Sequence, residues 1–200
     1  MWWEWTSGQF FQTDAMSVSF TGILWTRIRF SASVEDEMDE TLTGIQRVRA
    51  DASARGLDVE IVERPAAGSL EAAAALLGLE PADIMKSLVV KRHDGEFLFA
   101  LIPGDRQISW PKLRAVVGVN RLAMPHQDVA LDATGYERGT ITPLGSTTAW
   151  PVFQDASFAG RRVAMGAGAH GHSAFVLADD LAGALGATVA DISDPIPPRP

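Results

Sequence analysis

Cysteine is missing from all 200 residues. Without a thiol there is no cysteine nucleophile, no thiolate zinc site and no disulfide framework, and the absence agrees with a reducing compartment. The strings G-x-S-x-G and G-x-x-x-x-G-K-[ST] are also missing, which leaves no support for a serine hydrolase of the common fold or a P-loop enzyme. The expected chemistry therefore uses no side-chain nucleophile. No segment approaches the roughly 18 uninterrupted apolar residues of a membrane-spanning helix, and the start lacks the basic and apolar blocks of a secretory signal. A soluble, cytoplasmic protein with no membrane partner is expected. Positive charge is short as well: the formal net charge is -8, which argues against a protein that coats duplex nucleic acid. From Lys86 to Arg121, however, seven basic residues face three acids, so this segment is +4 and the remainder -12. That leaves a local anionic partner open, beside the plainer reading of solvated strand and helix faces.

What is present suffices for one core, since 46% of the chain is hydrophobic and its length suits a single domain. Residues 1–37 are aromatic-rich and carry no clean period, so they read as an N-terminal extension, with Met38 a natural start. The domain is expected over 38–193, followed by a proline-rich tail at 194–200 that should continue neither helix nor sheet. Within the domain, Thr41 to Arg55 has a helical apolar face (Leu42, Ile45, Val48, Ala52) and stops at Gly56. "LDVEIVE" reads as a strand, and "LEAAAALL" as a helix capped by Ser69 and ended by Gly78. Two strand-like runs flank Asp94-Gly95 in "SLVVKRHDGEFLFALIP", the clearest hairpin signal in the chain. Further on come helices at "SWPKLRAVVG" and Gln127 to Ala133, then strands at "WPVFQ", "RRVAM", "SAFVL" and "TVADI", with a helix at "DDLAGALG". Hairpin strands mixed with short helices indicate an α+β domain.

Lys86 stands out because "DIMKSLVV" is otherwise apolar, and an unpaired buried ammonium costs several kcal/mol. It either snorkels to solvent or meets a receiving cavity. "GAGAHG", Gly166 to Gly171, matches G-x-G-x-x-G literally, but strand rather than helix follows it. It reads as a glycine turn whose backbone amides can approach a ligand, and a purely structural turn fits equally. His170 and His172 would share a strand face, yet no third ligand has metal spacing, so neither a metal nor a cofactor is expected. His93 and His126 read as surface residues. "GTITP", Gly139 to Pro143, is a loop made rigid by proline at one end and open to close approach at the other.

In this order, "AAALLGLEPADIMKSLVV", "ATGYERGTITPLG", "PVFQDASF" and "GAGAHG…FVLADDL" resemble the YbaK-like, prolyl-tRNA-synthetase-associated editing domains, which act as aminoacyl-tRNA deacylases. The likeness covers roughly Leu42 to Ile192. It implies a compact α+β fold around a mixed, barrel-like sheet surrounded by short helices. It also implies that Lys86 is the functional lysine, facing the phosphate or ester of an aminoacylated tRNA end. Gly139 and Pro143 would hold the terminal adenosine and ester, with Gly135, Thr140, Thr142, Gly166, Gly168, His172 and Ser173 around them. The implied activity is a trans-editing hydrolase for mischarged, tRNA(Pro)-type substrates, using a bound water, Lys86 and backbone donors. A non-catalytic aminoacyl-tRNA or nucleotide-binding module is the alternative. Partners would be the tRNA acceptor end and a synthetase, with the protein a monomer or homodimer. The chain departs from the family where cysteine-clearing members carry a tyrosine and an acidic residue, since Val62 and Ser173 stand there. His172 matches only approximately the histidine of alanine-clearing members, so the amino acid edited is open.

Overall fold

The computed structural model describes residues 42–197, so the extension expected at 1–37 lies outside the described residues. The first helix, α1 (Gly44–Ala54), starts where the Thr43 hydroxyl accepts from the Gln46 N–H and the Gln46 side chain accepts from the Thr43 N–H. This reciprocal capping satisfies two donors that a helix end would otherwise leave bare. Strand β1 (Glu60–Glu63) leads to α2 (Leu70–Leu77), capped by Ser69 and closed by Gly78 in the left-handed conformation. A single 3-10 turn, Pro81–Asp83, then feeds the hairpin of β2 (Met85–Arg92) and β3 (Phe97–Pro103).

After the hairpin come β4 (Arg106–Ile108), α3 (Trp110–Val117), β5 (Leu122–Ala123) and α4 (Gln127–Thr134). The last part holds β6 (Val152–Asp155), β7 (Arg162–Gly166), β8 (His172–Leu177), α5 (Ala178–Leu185), β9 (Thr188–Ala190) and β10 (Ser193–Pro195). The α+β class is as expected. The strands lie in three sheets and do not close into a barrel: a five-stranded sheet β5-β2-β3-β6-β9, a three-stranded sheet β1-β8-β7 and the pair β10-β4. In the largest, β2 is antiparallel to both neighbours while β3, β6 and β9 run parallel.

Side chains alternate across a strand, so β2 and β3 feed two cores. Met85, Val89, Phe99 and Leu101 pack with Val163, Met165 and α5 on one face. Val90, Leu98, Ala100 and Ile102 pack with Leu113 of α3 and Ile192 on the other. The tail expectation needs correction here, because Asp194 and Pro195 belong to β10, paired with Gln107 and Arg106. A two-stranded ribbon tolerates Pro195 because the proline stands at its end, where no further ladder bond is required of it. The described residues, 42–197, all fall within one compact unit. Among the described residues no helix is long and apolar enough to cross a membrane.

Candidate functional site

Strand β2 has an uncovered edge. On one side it pairs with β3 along its length, but on the other it meets β5 only at Lys91 and Arg92 and the β7 residue Ala164 only through a bridge at Ile84. Among the described residues nothing pairs with 85–90 on that edge. The phase of the ladder says which groups face it. Arg92 donates to the Glu96 carbonyl at 2.7 Å, while Phe99 donates away from β2, to Pro151, at 2.8 Å. Alternation along an antiparallel ladder then turns the N–H and C=O of Ser87 and Val89 outward from β3.

Those outward groups meet a cavity of about 640 Å³ between β2 and β7. Its floor is apolar, with Met85, Ala130, Ile141 and Met165, and one wall is the Leu70, Ala73 and Leu77 face of α2. The loop residue Gly139 and the β7 end Gly166 complete it. Gly166 must be glycine, because a Cβ there would stand 2.4 Å from the Ile141 carbonyl and 2.6 Å from that of Thr140. Backbone is thus packed on backbone where the 139–143 loop meets the sheet. Arg64, Lys86 and Arg138 line the same cavity, and no carboxylate is among its described lining residues. In a chain of net charge -8, this gathers positive charge at one place.

Each lining cation is held differently. Arg64 donates from Nε to the buried Ser173 hydroxyl at 2.9 Å and from Nη1 to the Pro65 carbonyl at 3.0 Å. Arg138 is exposed and makes no hydrogen bond or ion pair among the described residues. Lys86 is half-buried and projects from the face of β2 opposite Ser87, beside Leu88 and Val90. Its Nζ donates to the carbonyls of Gly104, at 3.1 Å, and Arg106. Burial pulls its pKa below the ordinary lysine value, while the charges of Asp105 and Glu71 work against that fall. His172 also lines the cavity, and its Nδ1 lies 3.0 Å from the His170 carbonyl. A carbonyl only accepts, so Nδ1 carries the hydrogen and Nε2 of the neutral ring is an acceptor. The Ser87 hydroxyl is buried without a partner among the described residues.

Of the residues singled out in the sequence, Lys86, Gly139, Gly166, His172 and Ser173 line this cavity. The other five lie outside its lining and shape the loop from behind. Thr140 donates to the Glu137 carbonyl, Gly168 donates to that of Thr140, and Thr142 accepts from Leu144. The Gly135 carbonyl takes a bond from Arg47. Pro143 borders a separate, shallower cavity of about 310 Å³ with Arg47, Asp51 and Gly145. Sequence reasoning missed Arg64, Ser87 and Arg138. Arg138 directly precedes the "GTITP" loop and Ser87 directly follows Lys86, which were the available signals.

Known proteins resemble this chain over the same region. The family model for the aminoacyl-tRNA editing domain matches residues 64–184. The proline–tRNA ligase of Thermosipho africanus is 36% identical over 88 residues, which is 44% of this chain and 16% of the ligase. That of Bacillus licheniformis is 28% identical over 127 residues, 63% of this chain and 21% of the ligase. The chain thus spans about a fifth or less of the ligases it matches. The crystal structure of a protein proposed as a trans-editing enzyme for prolyl-tRNA synthetase superposes with TM-score 0.70 at 27% identity, covering 76% of this chain and 97% of that one.

Proposed function

The chain belongs to the aminoacyl-tRNA editing domain family, and from that premise we propose that it hydrolyses, in trans, the ester of a mischarged aminoacyl-tRNA. The observation that carries this reading is the cavity itself: among its described lining residues there are three cations and no carboxylate, beside a strand edge that no described residue pairs and that offers backbone donors and acceptors. A tRNA end brings phosphates for the cations and an ester for the edge. The likeness to ligases for proline supports tRNA(Pro)-type substrates and a synthetase as the upstream partner, in the cytoplasm. A synthetase pocket discriminates poorly against smaller or isosteric amino acids, so a second pocket that removes the errors has a physical reason to exist.

The ester is already activated, and the reaction needs a positioned water and donors where charge develops. Water adds to the ester carbonyl, the acyl–oxygen bond to the ribose breaks, and the water proton passes to the departing ribose oxygen. In this reading the outward Ser87 and Val89 N–H groups, with the backbone at Gly139, donate to the oxyanion. Nε2 of His172 can hold the water. Two of the three N–H donors of Lys86 are taken by carbonyls, which leaves one for the phosphate or ester.

Incubation with a panel of mischarged tRNAs tests the reading. Deacylation of at least one, with a loss of a hundredfold or more in Lys86→Ala, is the expected result. Binding without turnover across the panel would make the protein a recognition module instead.

A further inference from the structure

The C-terminal strand lies beyond the residues 64–184 that the family model matches. We propose that this strand is a positioning device for Lys86, fixing the turn whose carbonyls hold the lysine amine. The inference rests on the reading of Lys86 as a functional residue.

The chain of contacts is continuous. Lys86 donates to the carbonyls of Gly104 and Arg106, which flank Asp105 at the turn from β3 into β4. Carbonyls in a turn that short hold their direction only if the backbone on either side is fixed. On the β3 side the ladder with β2 does this, since Lys86 itself is opposite Ile102. On the β4 side the fixing comes from β10: Pro195 pairs with Arg106 and Ser193 with Ile108. The Arg106 side chain then reaches back, Nε to the Ser193 hydroxyl at 2.7 Å and Nη2 to the Ser193 carbonyl at 2.9 Å.

Ser193 is in turn anchored to the five-stranded sheet. It is fully buried, and its hydroxyl donates at 2.6 Å to the carboxylate of Asp155, which is 2% exposed. That same carboxylate accepts from the Ile192 N–H at 3.2 Å. Lys112 of α3 ties the segment from outside, at 3.1 Å from the Ser193 carbonyl and 2.8 Å from Asp194. A serine, an arginine and an aspartate thus connect the end of β6 to the carbonyls that set where the Lys86 amine stands. Simple closure of the Leu98 and Ile102 core would call for apolar contacts from Ile192, and it leaves the Arg106–Ser193–Asp155 row without a purpose.

The full-length chain tests this with Ser193→Ala and Arg106→Gln, each checked for folding by circular dichroism. Two readouts are taken: kcat and KM for deacylation, and the rate of reductive methylation of Lys86 followed by peptide mass spectrometry. Positioning predicts that both variants methylate Lys86 several-fold faster than wild type and lose about tenfold in kcat with KM within about twofold. Arg106→Lys, which keeps one donor, should fall between. If one variant fails to fold, the other is read alone, and if both fail, the Arg106→Lys methylation rate decides. Unchanged methylation in folded variants overturns the proposal whatever the activity. Activity that survives Lys86→Ala instead removes the functional reading of Lys86, while the methylation rates still report whether the strand holds the amine.

Discussion

Lys86 occupies a place where burial lowers its pKa and two acids, Asp105 and Glu71, resist the fall. The sign for folding follows directly. The unfolded lysine, near its ordinary 10.5, holds its proton more tightly than the folded one. The burial penalty is therefore complete below the folded value and fades as pH rises toward the unfolded one, so this group makes stability rise with pH in that window. The sign for activity is opposite: if the charged amine serves the substrate, catalysis declines through a midpoint below 10.5, and Asp105→Asn moves that midpoint lower. Initial rates corrected for uncatalysed ester loss, compared between wild type and Asp105→Asn, check it; coincident profiles would remove Asp105 from the account. Gly166 makes the second prediction at this scale. An added methyl must displace the Thr140 and Ile141 carbonyls, and overpacking of that kind costs about 1–3 kcal/mol. Gly166→Ala should lower the melting temperature and, by pushing the 139–143 loop outward, lower kcat/KM further than the stability loss explains.

At the level of elements, helix α2 links local capping to the site. Ser69 accepts from the Ala72 N–H at 3.1 Å, and loss of such a cap costs about 1 kcal/mol. Because Leu70, Ala73 and Leu77 wall the cavity, Ser69→Ala should raise KM as well as lower the urea midpoint; a shifted midpoint with constant KM would separate α2 from substrate binding. That helix was legible in the sequence because a serine, an alanine-rich run and a glycine all say the same thing. The β2–β3 hairpin was legible for a like reason, with Gly95 at φ 94° closing the short loop between Arg92 and Glu96. Strands β4, β5 and β10, of two or three residues each, were not. So few residues show no period, and β10 contains a proline that argues against a strand until its partner is known. The site was half legible. Glycines with a backbone reason announced themselves, but Arg64 reaches the cavity only because β1 pairs with β8 in a register that brings Val62 opposite Ser173, which no local pattern encodes.

Among the described residues, Tyr136 joins parts of the chain distant in sequence, and it is 1% exposed. Its hydroxyl donates to the Leu144 carbonyl at 2.8 Å and its ring lies 4.3 Å from the Arg47 guanidinium of α1. It thereby joins a helix outside the family match to the loop that borders the cavity. Burial pushes its pKa up to about 12, against the nearby positive charge of Arg47 and with the negative charge of Asp51. The unfolded tyrosine ionises near its ordinary 10.0, so the unfolded chain gives up this proton first. Stability from Tyr136 is then complete below that value and is lost as pH rises through the folded one, about 2–3 kcal/mol in all. Tyr136 is the single tyrosine of the chain, so absorbance of the phenolate reports it without interference. The folded protein should titrate near 12 and the urea-unfolded protein near 10. Tyr136→Phe should abolish this alkaline loss while costing about 1–3 kcal/mol at neutral pH, because the Leu144 carbonyl is left buried and unpaired. A folded-state midpoint close to the unfolded one would mean that α1 does not cover the ring, and the loop carrying Gly139 would then lack its anchor.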